Sequence, residues 1–148
     1  MKKILLTLLM VPFVLACSNK NNGTKIKLEK VDNPGLEIVD GKHMYDNAFT
    51  EKKNSIYYIG DNTCSACITL KQELDAWCTK NSARIYEIEY TNITEQDQKY
   101  IEDSTVGQYG WSKKSTIPSV YFFMMGEVVG LGDSSTTMNK LNKFVEVI

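Results

Sequence analysis

The chain of 148 residues has one histidine, three prolines and nearly equal acidic and basic totals, 18 against 17. Each scarcity closes a class of function. A protein that holds nucleic acid by its phosphates needs a surplus of basic residues, and this chain has none. A zinc site takes about four nitrogen or sulfur ligands, so Cys64, Cys67 and Cys78 with the distant His43 make a poor set and no metal is expected. His43 itself falls at a turn or helix start and reads as a surface residue rather than a catalytic one. The apolar stretch Ile4 to Leu15, interrupted by Thr7 and Pro12, falls short of the roughly 20 residues that a membrane-spanning helix needs. The sequence contains no internal repeat, which argues against a solenoid or propeller.

That short apolar stretch follows Lys2 and Lys3 and ends in Val14-Leu15-Ala16-Cys17, the layout of a cleavable export signal. Val-Leu-Ala-Cys resembles the bacterial lipobox. The resemblance implies that residues 1–16 are removed and that Cys17 is acylated and becomes the mature N-terminus. An ordinary secretory signal ending near a cysteine is the alternative. On the lipobox reading the protein sits on the extracytoplasmic side of the cell membrane, held by its acyl chains rather than by charge. Loss of Lys2 and Lys3 leaves 15 basic against 18 acidic residues. Residues 17–34 then form a lipid-anchored flexible tether: Ser18 to Lys25 has no apolar residue, and Asn33-Pro34-Gly35 breaks the chain. Ile26 to Val31 alternates apolar and charged residues and is compatible with an edge strand.

Residues 35–148 read as one compact domain, long enough for a core. Leu36 to Asp40 is a first strand and His43 to Lys52 a short helix. A second strand covers Ser55 to Gly60, and a helix runs from about Cys64 to Thr79, with Asn81-Ser82 ending it. Ala83 to Tyr90 is the next strand. Thr94 caps the following helix, with Asp97 in the capping-box position. Ser119 to Met125 is a dense apolar strand, Gly126-Glu127 a tight turn and Val128 to Leu131 the returning strand. Thr136 or Thr137 opens a last amphipathic helix carrying Met138, Leu141, Phe144, Val145 and Ile148. The order is β-α-β-α-β-α-β-β-α. Tyr57, Tyr58, Trp77, Tyr121, Phe122 and Phe123 are expected in the core.

Cys64-Ser65-Ala66-Cys67 lies where the second strand passes into a helix. A thiol at such a junction meets orphan backbone N–H groups and the positive end of the helix dipole, which favour the reactive thiolate. Cys78 lies eleven residues after Cys67, about 16 Å along a continuous helix, too far for a disulfide between them. It is expected to be buried and inert.

The element order, the C-x-x-C after the second strand and Thr116-Ile117-Pro118 directly before the apolar strand resemble the thioredoxin fold. The resemblance implies a three-layer α/β fold with a mixed central sheet of four to five strands flanked by helices, and a cis Ile117–Pro118 bond beside the cysteines. A trans proline that merely starts a strand is the other reading. Tyr58-Ile59-Gly60 with Thr63-Cys64, Tyr109-Gly110, and Gly126 with Asp133-Ser134-Ser135 are similar to the bacteriocin transport accessory branch of that superfamily. By this resemblance Cys64 is the nucleophile and Cys67 the resolving thiol, while Ile117 and Pro118 shape the groove for an extended substrate. The redox-active Cys64–Cys67 pair needs no further cofactor.

Typical thioredoxins carry Trp before the first cysteine, Gly-Pro between the two, and a buried aspartate six residues before the first. This chain has Thr63, Ser65-Ala66 and Tyr58 in those places. Glu87, on the strand position where thioredoxins have a lysine beneath the disulfide, is a candidate proton carrier for Cys67; the more ordinary reading is that Glu87 and Glu89 form the solvent face of the strand, alternating with core residues. The expected function is a monomeric, membrane-anchored thiol-disulfide oxidoreductase. It acts on thiols and disulfides of exported proteins or peptides and is reset by a membrane redox partner. The alternative is a non-catalytic accessory protein of the same fold, docking a peptide or exporter, with a structural disulfide.

Overall fold

A computed structural model describes residues 23–148. The predicted signal peptide and Cys17 lie outside the described residues. The described chain runs β1 (Ile26–Leu28), β2 (Gly35–Ile38), α1 (Gly41–Asp46), a π-helical turn (Asn47–Glu51), β3 (Ser55–Gly60) and α2 (Ser65–Asn81). It continues through β4 (Arg84–Glu89), α3 (Glu95–Ser104), β5 (Ser119–Met124), β6 (Glu127–Gly132), α4 (Thr137–Phe144) and β7 (Val145–Val147).

Five strands form one mixed sheet in the order β2-β4-β3-β5-β6. β2, β4 and β3 are parallel, while β5 and β6 run antiparallel to them. All six residues of β3 are buried, as a central strand covered on both faces requires. Side chains alternate between the faces. Ile56, Tyr58, Ile85, Val120 and Phe122 pack with Leu70, Leu74 and Trp77 of α2 and Leu141 of α4. Tyr57, Ile59, Ile88, Tyr121 and Phe123 pack with Met44 of α1, Ile101 of α3 and Trp111. The expected three-layer α/β architecture is the observed one, and the expected aromatic core set is buried.

Helix boundaries follow local chemistry. Thr94 and Asp97 complete the capping box of α3, each accepting the other's backbone N–H, at 3.0 and 3.2 Å. Asp97 also accepts the N–H of Gly41 at 3.1 Å, which ties the start of α3 to the start of α1. Ser82, in the left-handed region at φ 55°, ends α2.

Four expectations need correction. The last helix stops at Phe144, because β1 offers an unpaired edge and the β-branched Val145 and Val147 take it, pairing with Ile26 and Leu28 in a separate parallel ribbon. The tether boundary at 34 therefore moves back: Ile26 and Leu28 are 3% and 6% exposed and belong to the core. The β5–β6 turn is centred on Met125 and Gly126, at φ 52° and 84°, one residue earlier than expected; Glu127 already belongs to β6. A turn of this hand needs positive φ at both central residues, and glycine fills the second position. The first helix begins at Gly41 and widens into a π-turn from Asn47, whose buried amide donates to Ser55 Oγ at 2.7 Å and so anchors the helix to β3.

Leu28→Ala is expected to cost about 2–4 kcal/mol in denaturant unfolding, as a buried leucine does, whereas Lys25→Ala stays within about 0.5 kcal/mol.

Candidate functional site

The site begins at the last residue of β3. A side chain on Gly60 would collide with the phenol of Tyr58, so glycine is required there. The chain then turns through Asp61, whose Oδ1 accepts the Thr63 N–H at 2.7 Å and the Thr63 hydroxyl at 2.9 Å. That turn delivers Cys64 to the N-cap of α2, where its Sγ accepts the Cys67 N–H at 3.2 Å. The thiol stands where an N-cap serine or aspartate oxygen would, and it meets the open N–H end of a helix of 17 residues.

The two cysteines differ in surroundings. Cys64 is half-buried and Cys67 fully buried, and both are free thiols in this structure. Burial first, and the side-chain interaction with Cys64 second, push the Cys67 thiol up to about 11. Cys67 is therefore a neutral thiol at physiological pH, and its reactivity grows as pH rises toward that value. Cys78 is fully buried and is pushed up to about 12, chiefly by burial, in line with its expected inertness.

Beneath the thiols lies a polar cluster inside an otherwise apolar layer. Tyr58, 1% exposed, donates its hydroxyl proton to the carbonyl of Cys67 at 3.0 Å. Burial, with the neighbouring Cys67 and Glu87 next in order, raises the Tyr58 phenol well above its ordinary value, so it remains a donor. Glu87 is the register partner of Tyr58 across β3 and β4. Its side chain is 5% exposed and forms an ion pair with Lys71 Nζ at 2.7 Å. The solvent-face reading of Glu87 is thus overturned: the face it shares with Ile85 is covered by α2, and a buried carboxylate there needs the lysine that α2 brings. Lys71 lies four residues after Cys67, one helical turn on, so Cys67 and the cation over Glu87 share a helix face.

Further out, the carboxylate of Glu89 receives Asn62 Nδ2 at 2.9 Å and Asn92 Nδ2 at 3.0 Å, linking the loop before Cys64 to the loop after β4. On the opposite flank the Ile117–Pro118 bond is cis and Pro118 is buried. The pairing of Ile59 with Ser119 puts Pro118 alongside Gly60, at the same end of the sheet as the cysteines. Ile117 is half-buried. His43 does not lie free on the surface: its ring is 4.4 Å from that of Tyr86, and Nδ1 is 3.0 Å from the Tyr57 hydroxyl. No metal-binding cluster is found among the described residues.

Sequence reasoning missed Tyr58 as a contact of Cys67, and missed Lys71, Asp61 and Glu89. The i, i+4 relation of Cys67 and Lys71 is a signal that was available for one of them.

No family model matches this chain, and no curated protein does. Solved structures do. Thioredoxin O1 of Arabidopsis thaliana in its oxidised state is 12% identical and aligns over 76% of this chain and 99% of its own, with a TM-score of 0.56. The reduced thioredoxin pre-protein of Schistosoma mansoni is 17% identical over 75% of this chain and 99% of its own, with a TM-score of 0.53. Thioredoxin f2 of Chlamydomonas reinhardtii is 10% identical over 74% of this chain and 95% of its own, with a TM-score of 0.54. At these identities the likeness establishes the fold: the chain has the thioredoxin fold.

Lys71→Ala leaves the Glu87 carboxylate buried without its cation, and it is expected to lower unfolding stability by about 1–3 kcal/mol, read by chemical denaturation with the thiols reduced.

Proposed function

We propose that the protein is a thiol-disulfide oxidoreductase in which Cys64 exchanges with disulfides of exported proteins or peptides and Cys67 resolves the product. The observation that carries this reading is the asymmetric pair at the head of α2: a half-buried thiol at the N-cap and a buried thiol held protonated behind it. The Cys64 thiolate attacks a substrate S–S bond, forming a mixed disulfide and releasing one substrate thiol. The Cys67 thiolate then attacks Cys64 Sγ, forming the Cys64–Cys67 disulfide and releasing the second thiol. Two electrons pass from the dithiol to the substrate, and a membrane dithiol partner returns them. Oxidation of substrate thiols runs through the same atoms in reverse.

In the resolving step Cys67 gives up its proton, and we assign Glu87, the buried carboxylate paired in register with Tyr58, to receive it. Ile117 and Pro118 form the edge along which an extended substrate lies, by backbone pairing. Placement on the outer side of the cell membrane through acylated Cys17 rests on the Val14-Leu15-Ala16-Cys17 sequence. Among the described residues no helix is long and apolar enough to cross a membrane. The similarity to bacteriocin transport accessory proteins rests on the short motifs quoted above. The non-catalytic reading draws on two departures from the thioredoxin pattern, Tyr58 in the place of the buried aspartate and Thr63 in the place of the tryptophan before the first cysteine.

The purified chain is expected to accelerate insulin reduction by dithiothreitol, followed by turbidity, and Cys64→Ser to abolish the acceleration. Equal rates for the two proteins leave a docking protein with a structural disulfide. With an aromatic disulfide reagent, thiolate release is expected in two phases, of Cys64 and then of Cys67. The second should climb with pH across the neutral and alkaline range, because a thiol raised to about 11 has little thiolate below that pH. Glu87→Gln should slow the second phase alone; an unchanged second phase removes Glu87 from proton transfer.

A further inference from the structure

The strand order places Gly60, the end of β3 that leads into the Cys64 turn, between two cavities of opposite charge. At the end of β3, Gly60 pairs with Glu89 of β4 on one side, while Ile59 pairs with Ser119 of β5 on the other. On the β4 side a cavity of about 460 Å³ is bordered by Asp40, Glu89 and Asp97 and by no lysine or arginine. All three carboxylates take hydrogen bonds from neutral amide or hydroxyl donors, and none is in an ion pair among the described residues.

On the β5 side a cavity of about 520 Å³ adjoins Pro118 and is bordered by Lys114 and Lys140, neither of them ion-paired among the described residues. Its one acid, Asp133, is turned inward to its own loop, where one carboxylate oxygen accepts from Ser135 and Thr136 through both backbone and hydroxyl. Ser119, 6% exposed, borders the same cavity, and its hydroxyl has no hydrogen-bond partner. Neighbouring Lys113 does not border this cavity; its ammonium lies over the ring of Tyr90, just after β4, at 4.7 Å.

An extended peptide joined to Cys64 and lying along Ile117–Pro118 crosses from one cavity toward the other. We propose that the site selects peptides of a definite polarity, with a basic residue on the side of the reacting cysteine that reaches Glu89 and an acidic residue on the side that reaches Lys114. The inference rests on the exchange reading of Cys64 and adds to it the charge of the substrate. Attraction at both flanks with repulsion of the reversed order gives discrimination without deep side-chain pockets, and it suits a site that accepts many sequences.

The test uses peptide disulfides with one cysteine flanked by Lys then Glu, Glu then Lys, Lys on both sides or Glu on both sides, and the full reduced chain. One mixed order is expected to exchange faster than its reverse and than both uniform peptides, by about threefold to tenfold at low salt. The advantage should vanish near 1 M salt, where the screening length falls to about 3 Å. Lys114→Glu is expected to remove it, since Lys114 is exposed and its side chain makes no hydrogen bond or ion pair among the described residues. Four equal rates, or a preference that Lys114→Glu and salt leave untouched, overturn the proposal. Binding of the same peptides with serine in place of cysteine, read by fluorescence anisotropy, decides the charge preference separately. If no peptide exchanges while the order of binding holds, the exchange reading falls and the polarity stands; equal binding of all four overturns the polarity.

Discussion

β3 is buried along its whole length between two layers of helices, and the positions of the surrounding groups follow from that burial. Because both faces are covered, its residues alternate strictly between the two cores, and a slip of one residue would exchange Tyr57 for Tyr58 and turn the Tyr58 phenol away from α2 and Cys67. The same register points the Tyr58 phenol beneath α2 and leaves Gly60 as the exit, the last position before the turn that presents Cys64. Parallel pairing with β4 sets Glu87 beside Tyr58, and antiparallel pairing with β5 sets Pro118 beside Gly60. The chemistry of the site is therefore a consequence of packing at the middle of the sheet.

Charge in that packed layer is permitted only where it is compensated. Glu87 would be costly to bury alone, and α2 supplies the compensating cation one turn beyond Cys67. Tyr58 fills the volume next to it with a group that stays neutral and donates to the Cys67 carbonyl. The arrangement separates the two thiols: one is half-buried at a helix end, and the other is fully buried and held protonated by that burial.

Local patterns carried much of the fold. The apolar, β-branched and aromatic runs Ser55 to Gly60 and Ser119 to Met124, the three- and four-residue spacing of Leu70, Leu74 and Trp77, and the Thr94–Asp97 capping box are properties of single segments, so they could be read directly. Errors fell where a distant partner overrode a local preference. Val145 to Val147 continues an amphipathic helical pattern, yet β1 recruits it as a strand. Glu87 and Glu89 alternate like a solvent face, yet α2 covers the first and two asparagines engage the second. Met125 shows how weak a turn signal becomes when only one of two positive-φ positions holds glycine.

Taken alone, the sequence determined that the chain is a thioredoxin-like α/β domain with a C-x-x-C pair at a helix start and a proline before an apolar strand. Those features depend on neighbours a few residues apart, through hydrogen bonding within one helical turn and side-chain spacing along one strand. Only the tertiary structure decided the rest: Tyr58 against the Cys67 carbonyl, the Lys71–Glu87 ion pair, β1 as part of the core, and acidic and basic cavities on opposite sides of the β3 end that leads to Cys64. Each joins residues from strands or helices that meet only through the order β2-β4-β3-β5-β6 and the helices laid across it, and that order is set by the burial of whole faces.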